Sequence, residues 1–169
     1  MSRTVMTRHP SPPGFPATAY GLVTDQSRRV LIVQPQGKGA NAPWRLPGGL
    51  VEGGETPREA LRRELREELS LDRAAGPLLV QEWVLPHTPG RRARMTFLFA
   101  TPPVTPQEAS RILLERREVA ACRWIPPEAA VELLHKRHAL RLTRAYAGPV
   151  PAYLEHRPPD RPRESPAHV

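Results

Sequence analysis

The chain lacks several common means of fastening or placing a protein. Its only cysteine is Cys122, so no internal disulfide can form, and a lone thiol fits a reducing cytosol. No apolar run approaches the roughly 20 residues of a membrane helix, so no membrane association is expected. The first residues, MSRTVMTRHPSPPGFP, contain no apolar core of a secretory signal, and a cytoplasmic protein is the expectation. Lysine is scarce too. Of 25 basic residues only Lys38 and Lys136 are lysines, so a formal charge of +8 rests on arginine. Such a bias follows from GC-rich coding, or it attracts polyanions such as nucleotides or RNA. The arginines are spread through PGRRAR, LLERRE and HKRHALRLTR and form no single block. The histidines show no metal-ligand spacing.

Proline, by contrast, is plentiful at 22 and unevenly placed, with six in Pro149–Val169 and four in Met1–Pro16. Both ends read as extended or disordered tails. The organisation expected is an N-terminal tail over 1–16, one domain over 17–148 and a Pro-rich tail over 149–169; AYLEH, Ala152–His156, is its more apolar part and could dock. The 169 residues suit one domain with a real core.

Between the tails, short strand-like and helix-like runs alternate. TAYGLVT and RVLIVQP are β-branched-rich runs separated by DQSR, a hairpin-like pair. LLVQEWVL and RARMTFLFA are two more strands around the loop PHTPGR, and VAACRWI is another. PPEAAVELL reads as a turn and a helix opening at Pro127. TPQEASRILLERR has a capping box, Thr105 with Glu108 three residues on, and should open a helix. RHALRLTRAYAG reads as a last helix ended by Gly148.

The densest grammar lies in PGGLVEGGETPREALRRELREELSL, Pro47 to Leu71. Thr56 is the N-cap, Pro57 the first helical residue, and Glu59 closes a capping box. At about 100° per residue, Leu61, Leu65 and Leu69 make one narrow apolar stripe. Arg62, Arg63 and Arg66 fall on or near the solvated side. Glu64 and Glu68 instead lie beside the leucines, with Glu67 flanking. Carboxylates at the edge of a buried face are costly unless a cation or hydrogen bonds compensate them. An ordinary charged helix face accounts for the arginines but not for three clustered glutamates behind two glycine pairs. Loop glycines let backbone carbonyls turn inward. Carboxylates with backbone oxygens make a hard-oxygen site suited to Mg²⁺ or Mn²⁺.

This segment resembles the Nudix box, whose pattern is G, five residues, E, seven residues, then R-E-U-x-E-E-x-G-U with U aliphatic. Gly49, Glu55 and Arg63–Leu71 fit it at every defining position except Ser70, which stands where the pattern has Gly. That departure touches the turn ending the helix and not the metal. The lead-in WRLPGG and the late REVAACRWIPPEAAVELL agree, so the resemblance spans about Thr18 to Leu134. It implies an α/β protein of the Nudix fold, a mixed β-sheet sandwiched between α-helices. It also implies Mg²⁺- or Mn²⁺-dependent hydrolysis of a nucleoside diphosphate linked to another moiety. By position, Glu67 and Glu68 would bind metal with help from the Gly48 carbonyl. Glu64 would be a further ligand or the general base. Arg63 would orient the glutamates, and Glu55 would tie the loop to the helix. Glu118, six residues before Trp124, stands where some members carry a base or extra ligand; the plainer alternative is a surface Glu paired with Arg116 or Arg117.

The substrate is less legible. Pro86 lies 16 residues after Ser70, a spacing associated with the family's ADP-ribose pyrophosphatases, and TPG nearby resembles that subgroup, but RRARM replaces the acidic residues usual there. Arg91, Arg92 and Arg94 are candidate phosphate contacts or solvated loop residues. Trp44 and Trp83 are candidates for stacking on a base or for sheet core. An ADP-ribose-like compound and a nucleoside triphosphate stay open as substrates. Alternatives are an RNA 5′-end pyrophosphohydrolase, for which the basic charge is the argument, and a non-catalytic nucleotide- or RNA-binding sensor. Intact Glu64, Glu67 and Glu68 favour the enzyme. Many family members dimerise, so a homodimer stays open.

Overall fold

A computed structural model describes residues 14–37, 42–88 and 90–156. In chain order the elements are β1 (Ala17–Leu22), β2 (Val30–Pro35), β3 (Gly48–Leu50), α1 (Pro57–Leu69), β4 (Leu78–Val84), β5 (Arg94–Ala100), α2 (Pro106–Ala109), β6 (Val119–Ile125), α3 (Pro127–Leu133), α4 (Lys136–Ala147) and β7 (Ala152–His156). Five strands form one mixed sheet in the order β3-β1-β5-β4-β7, and β2 pairs with β6 in a second. β1 is antiparallel to β3 and parallel to β5, while β4 is antiparallel to β5 and parallel to β7.

Strand side chains alternate between faces, so one sheet can bury two cores. Ala19, Val23, Leu31 and Phe99 pack with Leu61, Leu65 and Leu69 of α1. Val80, Leu98 and Ile32 pack with Ala130 of α3 and Leu142 of α4. Helices thus cover both sides of the strands, as the resemblance implies. Among the described residues no helix is long and apolar enough to cross a membrane.

Three elements depart from the sequence expectations. The β1–β2 turn does form: Asp25 Oδ1 accepts from the Ser27 and Arg29 N–H at 2.9 and 2.8 Å. The strands then part, because both edges of β1 are taken by β3 and β5, and β2 joins β6 instead. Helix α2 carries the expected capping box but ends after four residues. Beyond it, the Leu113 and Glu115 N–H donate to the Leu69 and Glu68 carbonyls at 3.1 and 3.0 Å. Those carbonyls close α1 and need partners from outside the helix. Finally, Ala152–His156 is no tail but the edge strand β7, so the folded unit extends past residue 148. The N-terminal side is similar over its last residues: Phe15 sets its ring edge against Trp83 at 5.1 Å, and the Pro16 carbonyl accepts from Met95. The remaining tail residues, 1–13 and 157–169, lie outside the described residues.

Candidate active site

Helix α1 aims the glutamates. Thr56 Oγ1 accepts from the Glu59 N–H at 3.3 Å, and Glu59 Oε2 accepts from the Thr56 N–H at 2.7 Å. At the other end Ser70 takes the left-handed conformation, φ 54°, and the Leu71 N–H returns to the Leu65 carbonyl at 3.1 Å. Between these caps Ala60, Leu61, Leu65 and Leu69 are buried, and so is Glu68, only 1% exposed.

Strand β3 brings backbone to this carboxylate. Gly48 has φ +126°, and a Cβ there would lie 2.2 Å from the Ala19 carbonyl oxygen. A Cβ on Gly49 would lie 2.5 Å from Glu64 Oε1. Only glycines allow β3 this close to both β1 and α1. The Gly48 N–H donates to Glu68 Oε2 at 3.1 Å. Arg45 completes the arrangement: its Nη2 pairs with Glu68 Oε1 and its Nη1 donates to the Gly48 carbonyl at 2.7 Å.

Oxygens of Glu64, Glu68 and Glu118 lie within 4.8 Å of one another. Glu118 arrives from the turn before β6, where its carbonyl accepts from the Gln36 N–H at 2.8 Å. Burial pushes the Glu64 carboxyl above its ordinary range, and the neighbouring Glu68 charge adds to this. Glu68 is also raised, by burial first, although the Arg45 guanidinium opposes the shift. Converging carboxylates that resist ionisation favour a divalent cation with oxygen ligands. The Gly48 carbonyl beside them supplies a neutral oxygen, so the donor set fits Mg²⁺ or Mn²⁺.

Arg63 fans across the mouth of the cluster. Nε and Nη2 hold Glu55 at 3.1 and 2.7 Å, Nη1 reaches Glu64 at 3.1 Å and Glu67 at 3.0 Å, and Nη2 also donates to the Leu50 carbonyl at 2.9 Å. Its proton is held tightly, chiefly by Glu55. Glu55 in turn accepts from the Glu52 N–H at 2.8 Å, so loop and helix are laced together.

Other expected site residues are placed differently. Glu67 stays outside the tight carboxylate group; its side chain is 53% exposed and faces Arg63. Trp44 is 8% exposed and packs in the core with Arg123 over its ring at 4.8 Å. It offers no free face to a base, which corrects its reading as a substrate contact. Arg91 and Arg94 line a pocket of about 740 Å³ that includes Leu50, the residue directly after the glycine pair. Arg92, a candidate with them, lines it too, as does Arg137, to which the sequence assigned no role; among the described residues no carboxylate does. Arg94 Nε is buried without a partner. Arg45 also went unassigned, since one basic residue in WRLPGG carries no spacing signal.

A mixed sheet between helices, with carboxylates gathered from α1 and from the turn before β6, defines an α/β protein with a hard-oxygen site for a divalent cation. The chain belongs to the Nudix family, whose NUDIX domain model matches residues 14–146. Curated relatives include an 8-oxo-dGTP diphosphatase of Proteus vulgaris, 36% identical over 84 residues covering 49% of this chain and 73% of that one. A MutT-like protein of Streptomyces ambofaciens is 27% identical over 146 residues, 86% of each chain. Among solved structures, a MutT protein from Methanosarcina mazei Go1 superposes with a TM-score of 0.64 at 18% identity, covering 78% of this chain and 92% of that one. That likeness establishes the fold.

Proposed function

We propose that this chain is a divalent-cation-dependent pyrophosphohydrolase acting on a nucleoside diphosphate linked to a further group. The observation that carries this reading is the meeting of Glu64, Glu68 and Glu118 beside the Gly48 carbonyl. Glu68, Glu64 and that carbonyl would hold Mg²⁺ or Mn²⁺, with Glu118 and Glu67 on the solvent side. The bound cation would offset the phosphate charge and lower the pKa of an attacking water. Glu64 is either one of the cation's ligands or the base that takes a proton from the attacking water. Arg63 keeps Glu64, Glu67 and Glu55 in fixed directions, which lowers the reorganisation needed on binding. The arginine-lined pocket beside Leu50 would take the anionic part of the substrate.

That cationic lining also favours a second reading, a substrate with further phosphates, such as the 5′ end of an RNA. A relative from Halorhodospira halophila, 39% identical over 83 residues, 48% of this chain and 44% of that one, is an RNA pyrophosphohydrolase. A binding module without catalysis is disfavoured because the carboxylates are intact and converge. The test is a panel of 8-oxo-dGTP, ADP-ribose, ordinary nucleoside triphosphates and a 5′-triphosphorylated RNA oligonucleotide. Each is assayed with Mg²⁺, Mn²⁺ or EDTA for released phosphate, pyrophosphate or monophosphate. Cleavage of at least one, abolished by EDTA, is expected; none cleaved with either metal rules the proposal out.

A further inference from the structure

We infer that in the metal-free protein the Arg45 guanidinium occupies the cation position of this site, so that a divalent ion loads by displacing Arg45 from Glu68 and the Gly48 carbonyl. The inference rests on the proposed metal site and adds a competitor built into the chain.

Three observations carry it. One guanidinium fork engages both deep oxygen donors: Nη2 is paired with Glu68 Oε1, and Nη1 donates to the Gly48 carbonyl at 2.7 Å. Glu68 is buried, and a buried carboxylate without a counter-charge is strongly unfavourable. The other arginine of the cluster cannot serve, since Arg63 is committed to Glu55, Glu64 and Glu67. Among the described residues, Arg45 pairs with Glu68 and with no second carboxylate.

The backbone of Arg45 is fixed, while its side chain is held by Glu68, the Gly48 carbonyl and, at 3.3 Å, the Leu46 carbonyl. The Arg45 N–H and carbonyl both bond to Val33 at 2.9 Å. The side chain is 20% exposed, against 1% for Glu68, so it is the partner nearer solvent. A guanidinium and a divalent cation compete for the same oxygens and repel one another. Arg45 therefore keeps Glu68 and the Gly48 carbonyl in place without metal, and weakens metal binding by the work of its own displacement.

The experiment uses the full chain and Mg²⁺ or Mn²⁺ alone, without substrate. Isothermal titration and melting scans compare wild type with Arg45→Gln. The variant should bind Mg²⁺ roughly tenfold or more tightly. In EDTA it should melt lower than wild type, yet gain more on adding metal. In wild type, the Arg45 side-chain N–H signals should move to solvent-like shifts as Mg²⁺ saturates; this arm decides the matter should Arg45→Gln fail to fold without metal. Equal or weaker metal binding by Arg45→Gln, or Arg45 signals unmoved at saturation, overturns the displacement. In either case the metal site itself would stand. Wild type that binds neither ion at millimolar concentration overturns both this inference and the proposed function.

Discussion

His138 shows how one residue behind the site can make the fold sensitive to pH. It sits on α4, 8% exposed, with its ring edge against Tyr20 at 4.7 Å. Its Nδ1 accepts from the Leu46 N–H at 3.4 Å and lies 3.3 Å from Arg141 Nη1. Burial lowers its pKa well below 6.5, and the charges of Arg141, Arg45, His135 and Arg94 act in the same direction. A folded pKa below the unfolded one means that the unfolded chain takes the proton more readily. The stability this neutral ring allows is present above pH 6.5 and is lost as pH falls below that value. Melting temperature should therefore fall on acidification from pH 7 to 5, and fall less in His138→Gln, which keeps an acceptor without titrating. Parallel curves for the two proteins would contradict this. At this scale the sequence showed Glu64, Glu68 and Arg63, because a fixed spacing places them on one helix. It did not show Arg45, and it left Trp44 between sheet core and a stacking face. Both depend on how β3 and α3 come to lie against distant residues, and single-residue identity holds no trace of that.

Elements governed by local chemistry were the most legible. Helix α1 begins at Thr56 and ends at Ser70, as its capping box and spacing require. Thr56→Ala should cost about 1 kcal/mol, or roughly 2–4 °C in Tm for a domain of this size, with kcat within about twofold of wild type, a bound set by the same modest loss. Ser70 carries the left-handed cap that glycine adopts without penalty. Ser70→Gly should raise Tm by about 1–2 °C, because relief of roughly 1 kcal/mol of strain exceeds the extra freedom glycine gives the unfolded chain. A lower Tm in Ser70→Gly would show that the cap is not strained. Where partners are remote, local grammar misled. The capping box of α2 is real, yet the chain leaves the helix to serve the last carbonyls of α1. The β1–β2 turn is real, yet the two strands belong to different sheets.

For the whole molecule, the boundary at residue 148 was the main misjudgement, and proline content caused it. β7 completes the sheet and delivers His156 to the fully buried Glu82, with Nε2 2.9 Å from Oε1. Arg141 holds the other oxygen of Glu82. Truncation after Gly148 should therefore destabilise the fold by about 2 kcal/mol or more, through the lost ladder and a buried carboxylate left short of one partner. Truncation after His156 should leave Tm and turnover unchanged; a loss of turnover at constant Tm would place the last residues in the site. The central claim is that one face of α1 performs the chemistry and the other only holds the helix. Glu68→Gln and Glu59→Gln separate these on a single element. With the best substrate of the panel and saturating Mg²⁺, Glu68→Gln should lower turnover by roughly 10²-fold or more, about 3 kcal/mol of transition-state stabilisation, and should lose the rise in Tm on adding metal. Glu59→Gln should melt somewhat lower and turn over close to wild type. Turnover near wild type in Glu68→Gln, or an equal loss in Glu59→Gln, would contradict the account.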